Sequence, residues 1–254
     1  MKLITWNVFS VNPKILQGLK YISNLNPDVV CLQEFPQKHI YRLESFFPGY
    51  SYKAIPDSVH KRKVHKNNYL VTLSRIKIKE HSIFNYGDIQ KKSFLKNILY
   101  GKIQGQIEQN KALVVEVKIS KTKYSVYNLR LSCATTPKVK LEHINKLVTS
   151  NKNSKTTLLS GDFNVVGNKY WKILLGWTKS YSIKDYLINE LNEVKKLVMN
   201  NEFQIATSGF STNIIPSKNM LFGGVVIPKN ITPQTVRMHR KHFMSDHRIL
   251  EVVI

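Results

Sequence analysis

The chain holds only 16 Asp and Glu among its 254 residues, and several of them adjoin strongly apolar runs. Asn7 follows Leu3-Ile4-Thr5-Trp6, and Glu34 follows Val29-Val30-Cys31-Leu32-Gln33. Asp162 and Asn164 follow Thr157-Leu158-Leu159-Ser160-Gly161, while Asp246 and His247 precede Ile249-Leu250-Glu251-Val252-Val253-Ile254. Each is expected where a buried strand enters or leaves a sheet. A carboxylate in such a place is costly unless it has a partner. The partner is a lysine, a backbone N–H or a metal ion, and the last would bring metal-assisted chemistry.

Taken singly, each residue has an ordinary explanation. Gly161-Asp162-Phe163-Asn164 suits an Asx turn or a helix cap. Asp246 suits a capping role in a loop, Asn7 a strand end that satisfies backbone groups, and Glu34 an exposed strand-end acid. The signal is their joint occurrence in this order.

The surrounding pattern supplies elements to position them. Leu3–Val8 reads as a short apolar strand. Ile15, Leu19, Ile22 and Leu25 form a helical stripe over residues 14–25, which Pro27-Asp28 ends. Val29–Leu32 suits a strand buried on both faces. Ala112–Ile119 and Tyr124–Leu131 alternate as strands do. Leu141, Ile144 and Val148 predict a helix ending near Asn151, and Thr156–Leu159 a further buried strand. Residues 183–199 carry Ile183, Tyr186, Leu187, Leu191, Val194 and Val198 at helical spacing. Val225–Ile227 and Ile249–Ile254 close the chain as strands. The order is mixed α/β without strict alternation, which argues against a doubly wound nucleotide-binding sheet. Neither GxGxxG nor a phosphate-loop pattern is present. No repeat or linker divides the chain, so one domain over 1–254 is expected.

Thirty-nine Lys and Arg give a formal net charge of +23. One reading is a solvated surface of lysines; the other is attraction to polyanions such as nucleic acid. The charge clusters at Lys61-Arg62-Lys63-Val64-His65-Lys66 and at Arg237-Met238-His239-Arg240-Lys241-His242. Neither cluster is a helical amphipath, so a loop or groove touching phosphates is favoured over a membrane-surface helix. No apolar run is long enough to span a membrane, and the N-terminus lacks a signal-peptide pattern. Two cysteines, Cys31 and Cys133, cannot build a disulfide framework and suit a reducing compartment. A cytoplasmic monomer, with nuclear or nucleoid association as an option, is expected. Trp6, Tyr69, Trp171 and Trp177 read as packing residues; Asn168-Lys169-Tyr170-Trp171 is where an aromatic would approach a substrate. Cys31 should be inert.

Together, Ile4-Thr5-Trp6-Asn7-Val8, Pro27-Asp28-Val29-Val30-Cys31-Leu32-Gln33-Glu34, Ser160-Gly161-Asp162-Phe163-Asn164 and Ser245-Asp246-His247 resemble the endonuclease/exonuclease/phosphatase superfamily of metal-dependent phosphodiesterases. The resemblance implies a four-layer α/β/β/α sandwich, with two mixed β-sheets packed face to face. It also implies magnesium, with manganese as a substitute, held by Glu34 with Asn7 and Asp246 nearby. Asp162 would orient or deprotonate the attacking water, and Asn164 would hold the phosphate or that Asp. His247 would stabilise charge on a non-bridging oxygen.

Two positions depart from the family pattern. Arg130, in Val126-Tyr127-Asn128-Leu129-Arg130-Leu131, stands where the resemblance leads one to expect a histidine. Arginine cannot act as an acid near neutrality, but it can clamp a phosphate or pair with an acid. The segment Leu221-Phe222-Gly223-Gly224 offers no carboxylate where members often carry an Asp that orients the terminal-motif His. The expected function is a magnesium-dependent phosphodiesterase on nucleic acid, DNA foremost, as a DNA endonuclease or a repair-type nuclease. Lys61, Arg62, Lys63, Arg237, Arg240 and Lys241 would contact the backbone. The alternatives are a phosphatase or phosphodiesterase on inositol phosphates or other small phosphoesters, and a catalytically weakened nucleic-acid-binding module.

Overall fold

The computed structural model describes residues 1–60, 67–87, 106–133, 135–166, 181–208 and 220–254. β1 (Lys2–Asn7) and β2 (Val29–Pro36) run parallel, Leu3 beside Val29 and Asn7 beside Gln33. Parallel neighbours need a crossover, and α1 (Ile15–Asn24) supplies it, burying Ile15, Leu19 and Ile22. A 3₁₀ turn (Gln37–Arg42) and α2 (Leu43–Phe46) lead into β3 (Ser51–His60), β4 (Asn68–Ser74) and β5 (Ile78–Asn85). β6 (Gln106–Glu108), β7 (Lys111–Ile119) and β8 (Thr122–Arg130) follow. α3 (Pro137–Thr149) then crosses to β9 (Thr157–Val166), which lies parallel to β8. The chain ends with α4 (Ile183–Leu187), α5 (Glu190–Asn200), β10 (Phe203–Ile205), β11 (Met220–Pro228), β12 (Thr235–Met238) and β13 (Leu250–Val253).

Among the described residues the strands form a seven-stranded sheet, β12-β13-β1-β2-β4-β3-β6, and a six-stranded sheet, β10-β11-β9-β8-β7-β5. In each sheet one pair is parallel, β1 with β2 and β8 with β9, and the other pairs are antiparallel. Leu3, Val29, Cys31 and Val252 pack against Leu113, Val115, Val126, Leu158 and Val225 between the sheets. On the outer side of the first sheet, Ile4, Trp6, Leu32 and Val71 pack on Ile15, Leu19, Ile22 and Leu43. On the outer side of the second, Leu129, Leu159 and Val165 pack on Ile144, Leu147, Val194 and Val198. Apolar faces stacked in this order make the expected α/β/β/α sandwich.

Two expectations change. Residues 183–199 form two helices, because Asn189 caps α5 with a side chain that accepts from Asn192 N at 3.3 Å. Ile183 and Leu187, read as part of the apolar stripe, are exposed at 83% and 80%. Asp162 does not sit at a strand end: β9 continues to Val166, buried at all ten residues. Among the described residues no helix is long and apolar enough to cross a membrane.

Two β-bulges aim side chains at one end of the sandwich. Between the Leu32–Val71 and Phe35–Tyr69 pairs, β2 sets Gln33 and Glu34 against the single residue Leu70. Between Leu221–Val165 and Gly223–Asp162, β9 sets Phe163 and Asn164 against Phe222. The second bulge residue is left-handed in both, Glu34 at φ 54° and Asn164 at φ 49°. Such a conformation costs about 1–3 kcal/mol for a non-glycine residue and clusters at functional sites. Gly161 allows the approach of β8 to β9: at φ 147° a Cβ there would lie 1.9 Å from the Leu129 carbonyl oxygen.

Candidate active site

β1, β2, β8 and β9 all end on the same side, so Asn7, Glu34, Arg130 and Asp162 meet although they come from two sheets. The β2 bulge disturbs its ladder with β4, and Asn128 of the opposite sheet fills the gap. Its Nδ2 donates to the carbonyls of Leu32 at 3.1 Å and Val71 at 2.9 Å, while Gln33 Nε2 donates back to Asn128 Oδ1 at 2.8 Å. Buried polar groups paired this way fix the spacing of the two sheets beneath the site.

Asn7 Nδ2 donates to Glu34 Oε1 at 3.1 Å and to Asp162 Oδ2 at 2.9 Å, and Asn7 Oδ1 accepts from Phe9 N at 3.0 Å. The amide therefore holds two carboxylates together. Asn164 closes on Asp162 from the other side, Nδ2 donating to Oδ2 at 2.8 Å and the backbone N–H to Oδ1 at 3.1 Å. That second contact is the Asx-type bond expected from Gly161-Asp162-Phe163-Asn164, made inside a strand. Asn164 Nδ2 also donates to the Leu131 carbonyl at 2.8 Å.

His247 Nε2 lies 3.8 Å from Asp162 Oδ2 and 4.0 Å from Asp246 Oδ1. The backbone of His247 is tethered to β1. Its N–H donates to Ser245 Oγ at 3.0 Å, Ser245 Oγ donates to the Asn7 carbonyl at 2.7 Å, and the Trp6 indole donates to the His247 carbonyl at 3.2 Å. The ring meets Phe222 edge-on at 5.8 Å, and its Nδ1 is buried with no hydrogen-bond partner among the described residues. Asn7, Glu34, Asp162, Asn164, Asp246 and His247 come together as the sequence led us to expect.

Arg130 faces three carboxylates. Its Nε is 2.9 Å from Glu34 Oε1, and its Nη1 is 3.5 Å from Asp57 Oδ2 and 3.3 Å from Glu108 Oε1. The Nε–H does not point at an acceptor, so the Glu34 contact is a close charge pair rather than an aligned hydrogen bond. Ser132 Oγ donates to Glu108, and Tyr86 Oη donates to the Arg130 carbonyl at 2.6 Å. Burial raises the Glu34 pKa, but Arg130, Asn7, His247 and the Ser10 N–H outweigh burial and hold it below the usual carboxylate range. Burial pushes Asp57 up to about 7; Arg130 opposes the shift, while Glu34, Glu108 and Asp162 add to it. Asp246 is raised by burial, with His247 opposing and Glu34 and Asp162 adding.

Asp57 and Glu108 were not singled out from the sequence. The only signal there was the scarcity of acids, since their strands reach the site through sheet packing. Lys61, Arg62, Lys63, Trp171, Trp177 and the segment 168–171 lie outside the described residues. Arg237, Arg240 and Lys241 are exposed and precede the Ser245-Asp246-His247 turn. Trp6 is buried, and Cys31 is buried with its thiol pushed up to about 12 by desolvation, in keeping with an inert thiol.

No protein-family model matches the chain, and no curated protein matches it. Solved structures match across its length. An endonuclease/exonuclease/phosphatase from Beutenbergia cavernae is 16% identical with a TM-score of 0.68, covering 99% of this chain and 70% of its own. TDP2 of D. rerio, complexed with single strand DNA product, is 14% identical with a TM-score of 0.65, covering 99% of this chain and 97% of its own. A mannosyl-6-phosphatase from Bacteroides thetaiotaomicron is 11% identical with a TM-score of 0.62, covering 99% of this chain and 98% of its own. At such identities the likeness is one of fold, and the fold is that of the endonuclease/exonuclease/phosphatase proteins.

Proposed function

We propose that the chain is a single-domain, metal-dependent phosphodiesterase acting on nucleic acid, DNA foremost. The observation that carries this reading is the meeting of Asn7, Glu34, Asp162, Asn164, Asp246 and His247, brought together from β1, β2, β9 and the turn before β13. The neighbours' fold supports a phosphoesterase, and the net charge of +23 favours a polyanionic substrate.

The donor set suits a hard divalent ion that keeps most of its water. Among the described residues no three His, Cys, Asp or Glu side chains come close enough to hold an ion alone. Magnesium, though, is commonly held by one or two carboxylates with waters and substrate phosphate. Glu34 and Asp246 are the carboxylates in question. Glu34 and Asp162 both raise the Asp246 carboxyl, so a cation held at this group of acids would relieve repulsion. When bound, such a cation would offset charge on the phosphate oxygens. Asn7 would hold Glu34 and Asp162 in place, since its amide already bridges them. Its oxygen accepts from Phe9 N–H and keeps a second lone pair that could face the ion.

Asp162 would accept the proton of the attacking water. Asn7 and Asn164 both bond Oδ2 and the Asn164 N–H bonds Oδ1, which leaves little rotation of the carboxylate to be lost on reaction. His247 Nε2 would donate to a non-bridging oxygen as charge builds there. The proton sits on Nε2 more readily than on Nδ1, because a buried N–H without an acceptor is costly. Arg130 would contribute through Glu34, whose charge it compensates.

The test is a turnover panel of plasmid DNA, abasic-site duplex, RNA and inositol phosphates, each with magnesium and with chelator. Cleavage of nucleic acid that needs the metal and disappears in Glu34→Ala is the expected result. Turnover confined to small phosphoesters would replace the substrate, and turnover unaffected by Glu34→Ala would overturn the assignment.

A further inference from the structure

Behind the site, two charged side chains are buried completely. Lys140 on α3 and Glu190 on α5 each have 0% side-chain exposure, and Lys140 Nζ lies 3.0 Å from Glu190 Oε1. Each also holds one backbone group of β9. Lys140 Nζ donates to the Asn164 carbonyl, and Glu190 Oε2 accepts from Val166 N at 3.2 Å. Both backbone groups lie on the C-terminal side of the bulge, the first of them on Asn164 itself, which adopts φ 49°. Asn164 in turn gives both its side-chain amide and its backbone N–H to Asp162.

We propose that Lys140 and Glu190 are positioning residues: the buried pair pins the β9 bulge so that Asn164 holds the Asp162 carboxylate in its working plane. A buried ion pair is expensive to desolvate, and apolar side chains of like volume fill such a space at less cost. Apolar side chains cannot hold the Asn164 carbonyl and the Val166 N–H. A left-handed asparagine in mid-strand relaxes towards extended backbone unless its surroundings fix it. Relaxation would swing the Asn164 amide away from Asp162, and Asp162 would be left held by Asn7 alone.

The inference rests on the assignment of Asp162 as the base, so its test has one readout that needs no activity. Lys140→Met and Glu190→Leu each strand a buried charge and risk failing to fold. The double variant Lys140→Met/Glu190→Leu removes both charges and is the informative chain. Its melting temperature should stay close to that of the wild type. Hydrogen exchange at the Val166 N–H and the Asn164 amides should quicken at least tenfold, while the β1 and β8 amides keep their protection. Where the wild type turns over substrate, kcat should fall at least tenfold with KM within twofold. Unchanged exchange at Val166 and Asn164 overturns the inference whether or not the protein is active. Quickened exchange in a chain that cleaves nothing leaves the inference standing and removes the proposed function instead.

Discussion

Arg130 and Glu34 face one another from opposite sheets, Nε to Oε1 at 2.9 Å, with Arg130 at the end of β8 and Glu34 at the β2 bulge. The pair is therefore a tie across the sandwich as well as a feature of the site. Arg130 is the cation common to Glu34, Asp57 and Glu108. Arg130→Met should leave that group uncompensated and destabilise the fold by about 3–5 kcal/mol, as stranding buried charge does. Glu34 is depressed in the fold, so it stabilises the protein above its unfolded value and loses that contribution as the pH falls through its folded value. Removing Arg130 should therefore cost most near pH 7 and progressively less as the pH falls towards 3, because the stranded carboxylates then take up protons. Denaturant melts from pH 3 to 7 read this directly, and superimposable curves for the two chains would contradict the tie.

Asp57 carries the opposite sign. Its folded value is about 7, raised from 3.8. The folded state holds a proton that the unfolded state has lost between those values, so this contribution is fully present below 3.8 and fades as the pH rises through about 7. Asp57→Asn removes the penalty. It should gain stability at pH 8, by roughly 1–3 kcal/mol once coupling to Arg130 is allowed for, and little at pH 5. Equal shifts at both pH values would show that Asp57 is ionised in the fold throughout.

The frame of the site was legible because it follows from apolar runs. Leu3–Trp6, Val29–Leu32, Val126–Leu129 and Thr157–Leu159 are buried stretches of strand; Asn7 and Arg130 end their strands, Glu34 lies in a bulge and Asp162 directly precedes one. The Ile15-Leu19-Ile22 stripe gave the first crossover helix. What escaped notice depends on three-dimensional packing. The bulges at Glu34 and Asn164 have left-handed residues that no glycine advertises. Asp57 and Glu108 acquire meaning only when β3 and β6 bring them to Arg130. Lys140 and Glu190 look like solvated helix charges in the sequence, and each is buried because the other helix supplies its counter-ion. Ile183 and Leu187 failed the other way: their helical spacing is real, but the described residues bury neither.

His247 points to a gain of function. Its Nδ1 has no hydrogen-bond partner among the described residues, and the Phe222 ring stands perpendicular to it with centroids 5.8 Å apart. Phe222→Asp would place an acceptor beside Nδ1, hold a proton there and support the doubly protonated ring, whose Nε2–H still donates. Because removing such a partner costs orders of magnitude in known triads, supplying one should raise kcat by about tenfold, with KM little changed. His247→Gln should lower kcat by about 10²–10³, the loss of one donor to a developing oxyanion. Steady-state kinetics of both variants separate these outcomes. A Phe222→Asp chain slower than the wild type, with an unaltered melting temperature, would show that the aromatic edge is the better support.

The basic rim gives a prediction of a different kind. Arg237, Arg240 and Lys241 are exposed and sit within ten residues of His247 along the chain. Lys241 Nζ rests over the Tyr21 ring at 5.3 Å, so one of the three is already held in place by α1. If all three meet duplex phosphates, replacing them with glutamine should reduce the slope of log affinity against log salt by about 2.7, at about 0.9 per phosphate neutralised. Affinity at low salt should fall, while affinities at high salt converge. Binding is measured in chelator, so that cleavage does not deplete the duplex. A slope unchanged within error would move the contact surface elsewhere, with the cluster at Lys61, Arg62 and Lys63 the next set to replace.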